Sequence, residues 1–349
     1  MNKYVSKIQR IMKDNILANG SAGKINNDPL EDGLKREGHL FRIVTTRKRN
    51  KQWKVERKLK SDFIAGAKFL RNIFILLSVI ALIFVIASCT KNDEHTDPIN
   101  DFVTIPDNQF ESILIEQNID SDGVINQKIS KIDALDVTHL DLSFSNSNMY
   151  IEDLTGIEGF SNLTYLSASN HQIEEIDLSH NTLLDTVLLH ANEIQSIHGL
   201  SNLNNLIKLD LSWNLLDSLS FKNAFIEILL ASHNHLKFVE VENADKLKSI
   251  ILTSNKLSSV NLDTYSRLET LLLSDNLLQS IDLEQNGNLS YLYISGNSLS
   301  ELSVSSNQNL VDLRGDRNPL LTCIHINNNQ EIPTVSLSEY QVLSTNCNE

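Results

Sequence analysis

Hydrophobic residues in the second half of the chain recur with a period of about 21 residues. Five segments fit the pattern L-x-x-L-x-L-x-x-N-x-L with aliphatic substitutions: 184–194, 206–216, 247–257, 268–278 and 289–299. Two more, 226–236 and 310–320, fit it with Ala231 and Gly315 at the sixth place. A fixed period of this kind indicates a stack of similar coils.

The alternation at the fourth, fifth and sixth places of each repeat predicts a short strand with one face turned inward. Coils stacked at about 4.8 Å would join these strands into one parallel sheet. The ninth place carries an asparagine, whose amide both donates and accepts and so can pair with buried backbone groups. These asparagines are Asn192, Asn214, Asn234, Asn255, Asn276, Asn297 and Asn318. One step earlier, His171 stands in their place.

A second pair of aliphatic residues, spaced two apart, follows in most coils. The pairs are Ile176/Leu178, Leu219/Phe221, Val239/Val241, Val260/Leu262, Ile281/Leu283 and Leu302/Val304. This spacing and the short remaining length favour an extended segment on the far side. The predicted fold is therefore a repeat solenoid: a leucine-rich repeat horseshoe with a concave parallel β-sheet, short extended segments on the convex side and about eight 21-residue coils.

The hydrophobic ends of such a stack must be closed. We assign residues 161–326 to the solenoid, 103–160 to an N-terminal cap region and 327–349 to a C-terminal cap. In the N-terminal cap, Asp107 precedes a helical pattern that begins with Phe110.

Charge divides the chain into two parts. Of its 30 Lys/Arg and 44 Asp/Glu residues, 18 and 7 lie in residues 1–71, which leaves 12 and 37 for residues 72–349. The acidic part argues against nucleic acid as a partner of the repeat body. Between the two parts, residues 73–88 form an uncharged apolar run, which is short for a membrane span but suits the core of a secretory signal.

Cys89 follows this run directly. Residues 86–89, Ile-Ala-Ser-Cys, resemble the lipobox of bacterial lipoprotein signals. The resemblance implies cleavage before Cys89 and attachment of fatty acyl chains such as palmitate, which anchor the mature chain in a membrane. Residues 70–88 would then be the signal peptide, and 1–69 a basic extension from an over-extended start assignment. An uncleaved signal anchor with a basic cytoplasmic tail is the alternative.

Residues 89–102 form an acidic flexible tether in this interpretation. The lysine and acids at 91–94 are similar to the surface-export signal of Bacteroidetes-type lipoproteins, which implies an outer-membrane protein that faces the cell exterior. A plain tether is the alternative. The other two cysteines of the chain are Cys323 and Cys347. In an exported protein they are expected to form a disulfide, with two free thiols as the alternative.

The stretches IPDNQFESILIEQ, LTGIEGFSNLTYL, IDLSHNTLL and NPLLTCI together resemble the secreted bacterial leucine-rich repeat proteins often called internalin-like. The resemblance covers about residues 103–326. It implies recognition of a protein partner through the concave face, in adhesion or recognition at a cell surface. It identifies neither the partner nor the affinity.

Motifs of catalysis are absent from the sequence. It contains no H-E-x-x-H, no G-x-S-x-G, no phosphate-binding glycine loop and no dinucleotide fingerprint. We therefore predict no enzymatic activity, no cofactor and no metal. Asp120, Asp122, Gly123 and Asn126 resemble the start of a calcium loop, but Lys131 stands where an EF-hand needs its closing acid. An ordinary Asp-Gly turn is the simpler interpretation.

The concave face should display places two, three, five, seven and eight of each repeat. The fifth place brings Leu230, Ile251, Leu272 and Tyr293 side by side as an exposed apolar stripe, and Trp213, Ile228 and Tyr291 broaden it. Such a stripe is typical of an interaction surface. An acidic rim that favours a basic partner would come from Asp210, Glu227, Glu269, Asp275 and Asp312. The alternative is that neighbouring side chains cover the stripe.

These patterns leave three functional hypotheses, in order. A noncatalytic surface protein that binds a protein partner comes first. A lipoprotein that captures a glycan or nutrient on the same fold comes second, and a membrane-anchored hydrolase is a distant third.

Overall fold

The computed structural model describes residues 101–143 and 149–347. Its elements in chain order are β1 (Phe102–Thr104), α1 (Asn108–Glu116), β2 (Lys128–Ser130), α2 (Lys131–Asp136), β3 (His139–Asp141), β4 (Tyr165–Ser167), β5 (Glu175–Asp177), β6 (Thr186–Leu188), β7 (Ser196–His198), β8 (Lys208–Asp210), β9 (Ser218–Lys222), β10 (Ile228–Leu230), β11 (Phe238–Glu242), β12 (Ser249–Ile251), β13 (Thr270–Leu272), β14 (Tyr291–Tyr293), β15 (Leu302–Ser303), β16 (Asp312–Arg314), β17 (Cys323–His325), β18 (Thr334–Ser336) and β19 (Val342–Ser344). Two 3₁₀ turns lie at Ile157–Gly159 and Leu200–Asn202. The predicted signal peptide, the basic extension and Cys89 lie outside the described residues.

One parallel sheet joins the repeats. Its ten strands run in the order β3, β4, β6, β8, β10, β12, β13, β14, β16 and β18. Equivalent places of neighbouring coils pair directly, so that Leu229 of β10 lies between Leu209 of β8 and Ile250 of β12. The sheet confirms the predicted parallel-strand solenoid. We call the side of this sheet that faces away from the core the concave face.

The sheet is two strands longer than the eight predicted coils. Its outer strands, β3 and β18, come from segments that the sequence analysis assigned to the caps. Both carry an aliphatic residue at the fourth place, Leu140 and Val335, but neither belongs to a complete repeat pattern. Strand pairing with the neighbouring coil is enough to extend the stack by one strand at each end.

The aliphatic places of each repeat form the core. Leu229, Ile250, Leu271 and Leu292 occupy the fourth place of successive coils, and none is more than 2% exposed. Each such side chain contributes about 1.5–3 kcal/mol by leaving water. The sheet is held mainly by this continuous column, since each strand is only three residues long.

Helix α1 closes the N-terminal end of the core. Asp107 accepts hydrogen bonds from the backbone N–H groups of Gln109 and Phe110 at 2.8 and 2.9 Å, which fixes the start of the helix. Phe110 and Leu114 then turn inward and are fully buried. The predicted helical pattern after Asp107 is thus a helix in the structure.

Short parallel strands cover part of the convex side. β5 pairs with β7, β9 with β11, and β17 with both β15 and β19. Four of the six predicted extended segments are strands in this arrangement, whereas Val260/Leu262 and Ile281/Leu283 form no strand. A disulfide joins Cys323 of β17 to Cys347 and ties down the last described residues of the chain.

The ninth-place asparagines all bond in the same way. Asn255 donates from Nδ2 to the carbonyls of Ala231 and Leu252 at 2.9 and 3.0 Å, and its Oδ1 accepts from the N–H of Leu236 at 3.0 Å. The same three-bond arrangement recurs at Asn192, Asn214, Asn234, Asn276, Asn297 and Asn318. Each amide therefore joins backbone groups of its own coil to backbone groups of the preceding coil and supplies an acceptor to a buried N–H.

His171 fills the asparagine place of an earlier coil with an imidazole. Its Nδ1 accepts from the N–H of Ile151 at 3.2 Å, so that Nε2 carries the proton and donates to the carbonyl of Leu142 at 2.9 Å. Burial lowers the pKa of His171, and the ring is neutral at neutral pH. A neutral imidazole thus reproduces the donor and acceptor of the amide.

Candidate functional site

The concave face brings four large fifth-place side chains together in register. Leu230 lies beside Ile251, Ile251 beside Leu272, and Leu272 beside Tyr293. None of the three aliphatic side chains belongs to the core cluster on the other side of the sheet. We call these four residues the concave band.

The aliphatic side chains of the concave band are less exposed than the sequence predicted. Leu230, Ile251 and Leu272 are only 5%, 7% and 3% exposed, so the expected exposed stripe was wrong for these three residues. Strands about 4.8 Å apart place a large side chain directly on each side of the next, and each covers its neighbours. The three residues form the floor of a surface rather than its contact points.

More accessible apolar and aromatic side chains lie around these three residues. Ile228 and Tyr291, at the third place of their coils, and Tyr293 are half-buried, whereas Trp213 is 50% exposed. These four side chains therefore expose apolar and aromatic surface beside three buried aliphatic side chains. This combination suits a binding hot spot, in which a buried centre is surrounded by large anchoring side chains.

Tyr293 is fixed by a polar cluster at the C-terminal end of the band. Its hydroxyl donates to Asp312 Oδ2 at 2.8 Å, and the guanidinium of Arg314 lies 4.1 Å from the centre of its ring. Arg314 also pairs with Asp312 at 3.3 Å. Burial, together with the Asp312 carboxylate, raises the pKa of Tyr293. The phenol therefore stays protonated and remains a donor to Asp312.

The predicted acidic rim is largely neutralised. Glu227 pairs with Lys248 at 2.7 Å, Asp275 with Arg317 at 2.7 Å, and Asp312 with Arg314. Asp210 and Glu269 are the two predicted rim acids without a lysine or arginine partner among the described residues. The expected acidic rim therefore remains only at Asp210 and Glu269, because Lys248 from the next coil, Arg317 from two coils on and Arg314 from the strand of Asp312 itself reach the other three carboxylates.

A serine, a histidine and an aspartate meet at the N-terminal part of the concave face. Ser169 Oγ lies 2.9 Å from His190 Nδ1, and Asp210 Oδ2 lies 3.8 Å from the same nitrogen. A catalytic triad needs the serine and the aspartate on opposite ring nitrogens. Ser169 is also only 1% exposed. The arrangement therefore has neither the geometry nor the access of an activated nucleophile.

The Asp-Gly segment in the N-terminal cap forms a turn that is also held by Asp133 and Glu111. Asp122 accepts from the N–H of Val124 and from the side chain of Asn126, both at 2.8 Å. Asp120 accepts from the N–H of Asp122. Within 101–143 and 149–347, no group of three His, Cys, Asp or Glu residues is arranged to hold a metal ion.

The eighth place of the repeat is a feature that the sequence analysis did not single out. Its residues adopt a left-handed backbone with φ between 55° and 67° in every coil from Ala191 to Arg317. We call these residues the eighth-place row: Ala191, Trp213, His233, Ser254, Asp275, Gly296 and Arg317. The turn just after each strand requires this backbone, and the row lines one edge of the concave face.

Two side-chain contacts join members of the row, one between neighbours and one across an intervening glycine. The indole of Trp213 stacks on the imidazole of His233, with ring centres 3.8 Å apart and planes inclined by 19°. Farther along, Arg317 reaches past Gly296 to Asp275. A Cβ at Gly296 would lie 2.3 Å from Asp275 Oδ1, so the missing side chain makes room for this ion pair. Aligning the eighth-place residues of successive repeats would have suggested both the Trp213–His233 stack and the Asp275–Arg317 ion pair.

A second series of amides lies on the convex side and was also missed. Asn181, Asn286 and Asn307 each donate two hydrogen bonds to carbonyls of the preceding coil, and Asn223 donates one. They are spaced at multiples of 21 residues, but the same place holds Ala244 and Tyr265 in other coils, which concealed the series. They stabilise the convex turns and contribute nothing to a binding surface, because all four are buried.

Comparisons with known proteins place the chain beside other leucine-rich repeat structures. The functional domain of InlJ from Listeria monocytogenes shares 23% identity over 64% of this chain and 56% of its own, with a TM-score of 0.44. Internalin C2 from the same organism shares 18% identity over 69% of this chain and 96% of its own, with a TM-score of 0.46. The leucine-rich repeat domain of APL1B shares 25% identity over 53% and 52%, with a TM-score of 0.40. The chain thus spans about half the length of InlJ and APL1B.

No family model matches the chain, and no curated protein does. Within the part of the chain that the structure describes, no helix is long and apolar enough to cross a membrane.

Proposed function

We propose that this chain is a noncatalytic leucine-rich repeat protein that binds a protein partner through its concave face. The observation that carries the proposal is the concave band, a dry apolar floor with large side chains at its margins. Ile228, Tyr291 and Trp213 supply the accessible part of this surface. Aromatic side chains at such margins are common anchors of protein interfaces.

Rigidity of the sheet adds to the proposal. Every band residue lies on a strand that pairs on both sides, and an asparagine amide ties each of these four coils to the preceding one. A surface that does not need to be ordered on binding avoids part of the entropic cost of association. Tyr293 is already held by Asp312 and Arg314 in the unbound protein.

We further propose that the protein acts outside the cell as a lipoprotein anchored at Cys89, on the outward side of an outer membrane. The lipobox-like residues 86–89 support the anchor. The disulfide between Cys323 and Cys347 supports export, because such bonds form and persist in oxidising compartments. The test is intact-mass analysis of the protein from its native membrane, which should show a chain that begins at acylated Cys89; a chain that keeps residues 1–88 would contradict the anchor.

Binding by the concave face is tested by a matched set of variants. The full chain serves as bait to select a partner from a displayed library of extracellular proteins, and the Kd is measured by biolayer interferometry. Tyr291→Ala combined with Ile228→Ala should weaken binding at least about tenfold, the range of a hot spot. Phe238→Ala on the convex strand β11 is the control, because Phe238 is as exposed as Trp213, at 50%.

Equal effects of the concave and convex changes would contradict the proposal. Capture of glycans is the competing function, and an array of saccharides is probed in parallel with the same variants. Saturable binding of a saccharide that depends on Tyr291, without any protein partner, would replace protein recognition by glycan recognition.

A further inference from the structure

Trp213 has one covered face and one open face. Its indole stacks on His233, which belongs to the next coil toward the C-terminus. The preceding coil carries Ala191 at the equivalent place, and a methyl group cannot cover an indole. The coils are in register here, since the N–H of Asn192 donates to the carbonyl of Trp213 at 3.2 Å. The open face therefore borders a gap about one side chain wide.

His233 keeps this ring pair uncharged at neutral pH. Burial lowers the pKa of His233, so its imidazole is neutral when it stacks on the indole. A neutral ring partner leaves the quadrupole of the indole available to attract a cation on the opposite face. An imidazolium in the same place would oppose that attraction.

The surroundings of the gap carry an excess of negative charge. Asp210, three residues before Trp213, has no lysine or arginine partner among the described residues. Glu193, two residues after Ala191, lines an open groove that extends from this coil toward the N-terminal cap. The acids of this groove are Glu152, Asp153, Glu174, Glu175 and Glu193, and its lining contains no lysine or arginine. Because two residues span at most about 7 Å, this end of the acidic groove lies close to Ala191 and hence to the gap.

We propose that the open face of Trp213 binds an arginine side chain from a basic segment of the partner protein, and that the acidic groove holds the neighbouring basic residues of that segment. This inference rests on the proposed function, because it specifies the chemistry of the same partner. A planar guanidinium stacks on an indole and donates to carboxylates at the same time. The charge of the groove selects a basic segment over an acidic or neutral one.

Trp213 itself provides the measurement. The chain contains two tryptophans, Trp53 and Trp213, so Trp53→Phe in the full chain leaves Trp213 as the only indole. The probe is the peptide (Gly-Arg)₅, and its control is (Gly-Cit)₅, in which uncharged citrulline replaces each arginine. The arginine peptide should change Trp213 fluorescence saturably, and the citrulline peptide should bind at least about tenfold more weakly, because it lacks the charge.

Calorimetric titration of variants locates the site. Trp213→Ala should weaken the arginine peptide about two- to fivefold, the factor expected for one exposed cation–π contact. Glu174→Gln with Glu193→Gln should weaken it further, whereas Phe238→Ala should leave its Kd unchanged. Equal binding of both peptides, or a Kd that Trp213→Ala does not change, would overturn the inference.

Failure here is distinguishable from failure of the proposed function. If the arginine peptide does not bind at Trp213 but the Tyr291 and Ile228 changes still weaken the selected partner, only the basic segment is excluded. If those changes also have no effect, the concave face is excluded as well. Quenching by an uncharged saccharide in place of the arginine peptide would assign the open indole face to sugars and overturn the inference.

Discussion

Removing one ladder amide should cost more than any surface substitution on this chain. In Asn255→Ala, the carbonyls of Ala231 and Leu252 lose a donor and the N–H of Leu236 loses its acceptor. Ala231 and Leu252 each keep a second donor, the Nδ2 of Asn234 and of Asn276, so only the N–H of Leu236 is left without a partner. A buried polar group without a partner costs about 1–3 kcal/mol, and we expect Asn255→Ala to lose stability by about that amount.

The assay is urea unfolding of the full chain, followed by circular dichroism. A loss of this size is a large fraction of the 5–15 kcal/mol by which typical domains are stable, so the midpoint should fall clearly. Asn328→Ala is the matched control, because Asn328 is exposed and makes no side-chain hydrogen bond to the described residues. Its effect should stay within about 0.5 kcal/mol.

Equal midpoints for the two variants would refute the reasoning. That result would mean that the N–H of Leu236 finds another partner, and that the asparagine column is a consequence of the turn and not a source of stability. An increase in the midpoint for Asn255→Ala would refute it still more directly.

Three further predictions concern other parts of the solenoid. Burial lowers the pKa of His171, so the neutral ring stabilises the fold fully above the ordinary histidine pKa of about 6.5. As pH falls below that value, this stability is lost by up to about 1.4 kcal/mol per pH unit. Between pH 7.5 and 5.5, urea unfolding of His171→Asn should therefore show a smaller loss of stability than the wild type, and parallel losses would contradict this. Gly296→Ala should lower the melting temperature by displacing an ion pair, whereas Gly287→Ala, whose new Cβ would meet its nearest atom at 3.6 Å, should not; equal melting temperatures would contradict the steric argument. Cys347→Ser should cost about 3 kcal/mol and make the melting temperature insensitive to dithiothreitol, because it opens a loop closed by residues 24 apart; a variant as stable as the oxidised wild type would contradict it.

The repeating part of the fold follows from the sequence because each coil repeats the same physical problem. An aliphatic residue at the fourth place, such as Leu229, must be buried, and it can be buried only against its equivalent in the next coil. The period then fixes the register of the whole sheet. The outer strands β3 and β18 were harder to predict, because their segments carry aliphatic residues at the first, fourth and sixth places but Ser145 and Tyr340 in place of the ninth-place asparagine.

The repeat pattern alone could not predict which side chains of the concave face are exposed. Whether Ile251 is exposed depends on the size of Leu230 and Leu272, one strand away on each side, and not on its own place in the repeat. The rim charges depended likewise on other coils, since the partner of Asp275 is Arg317, 42 residues later. Aligning the fifth place down the stack brought these side chains together but did not show their burial, which depends on side-chain volume. Aligning the eighth place would have put Asp275 and Arg317 in one row.

The central claim is that the concave face contacts a protein, and site-specific photo-crosslinking tests it most directly. A photoreactive benzoylphenylalanine is introduced at Ser249, beside Ile228 on the concave face, or at Phe238 on the convex side, and each full-length protein is irradiated with the selected partner. We predict a single protein adduct from position 249 that excess unlabelled wild type competes away, and no adduct from position 238. An adduct from position 238 alone, or the same adduct from both positions, would contradict binding through the concave face.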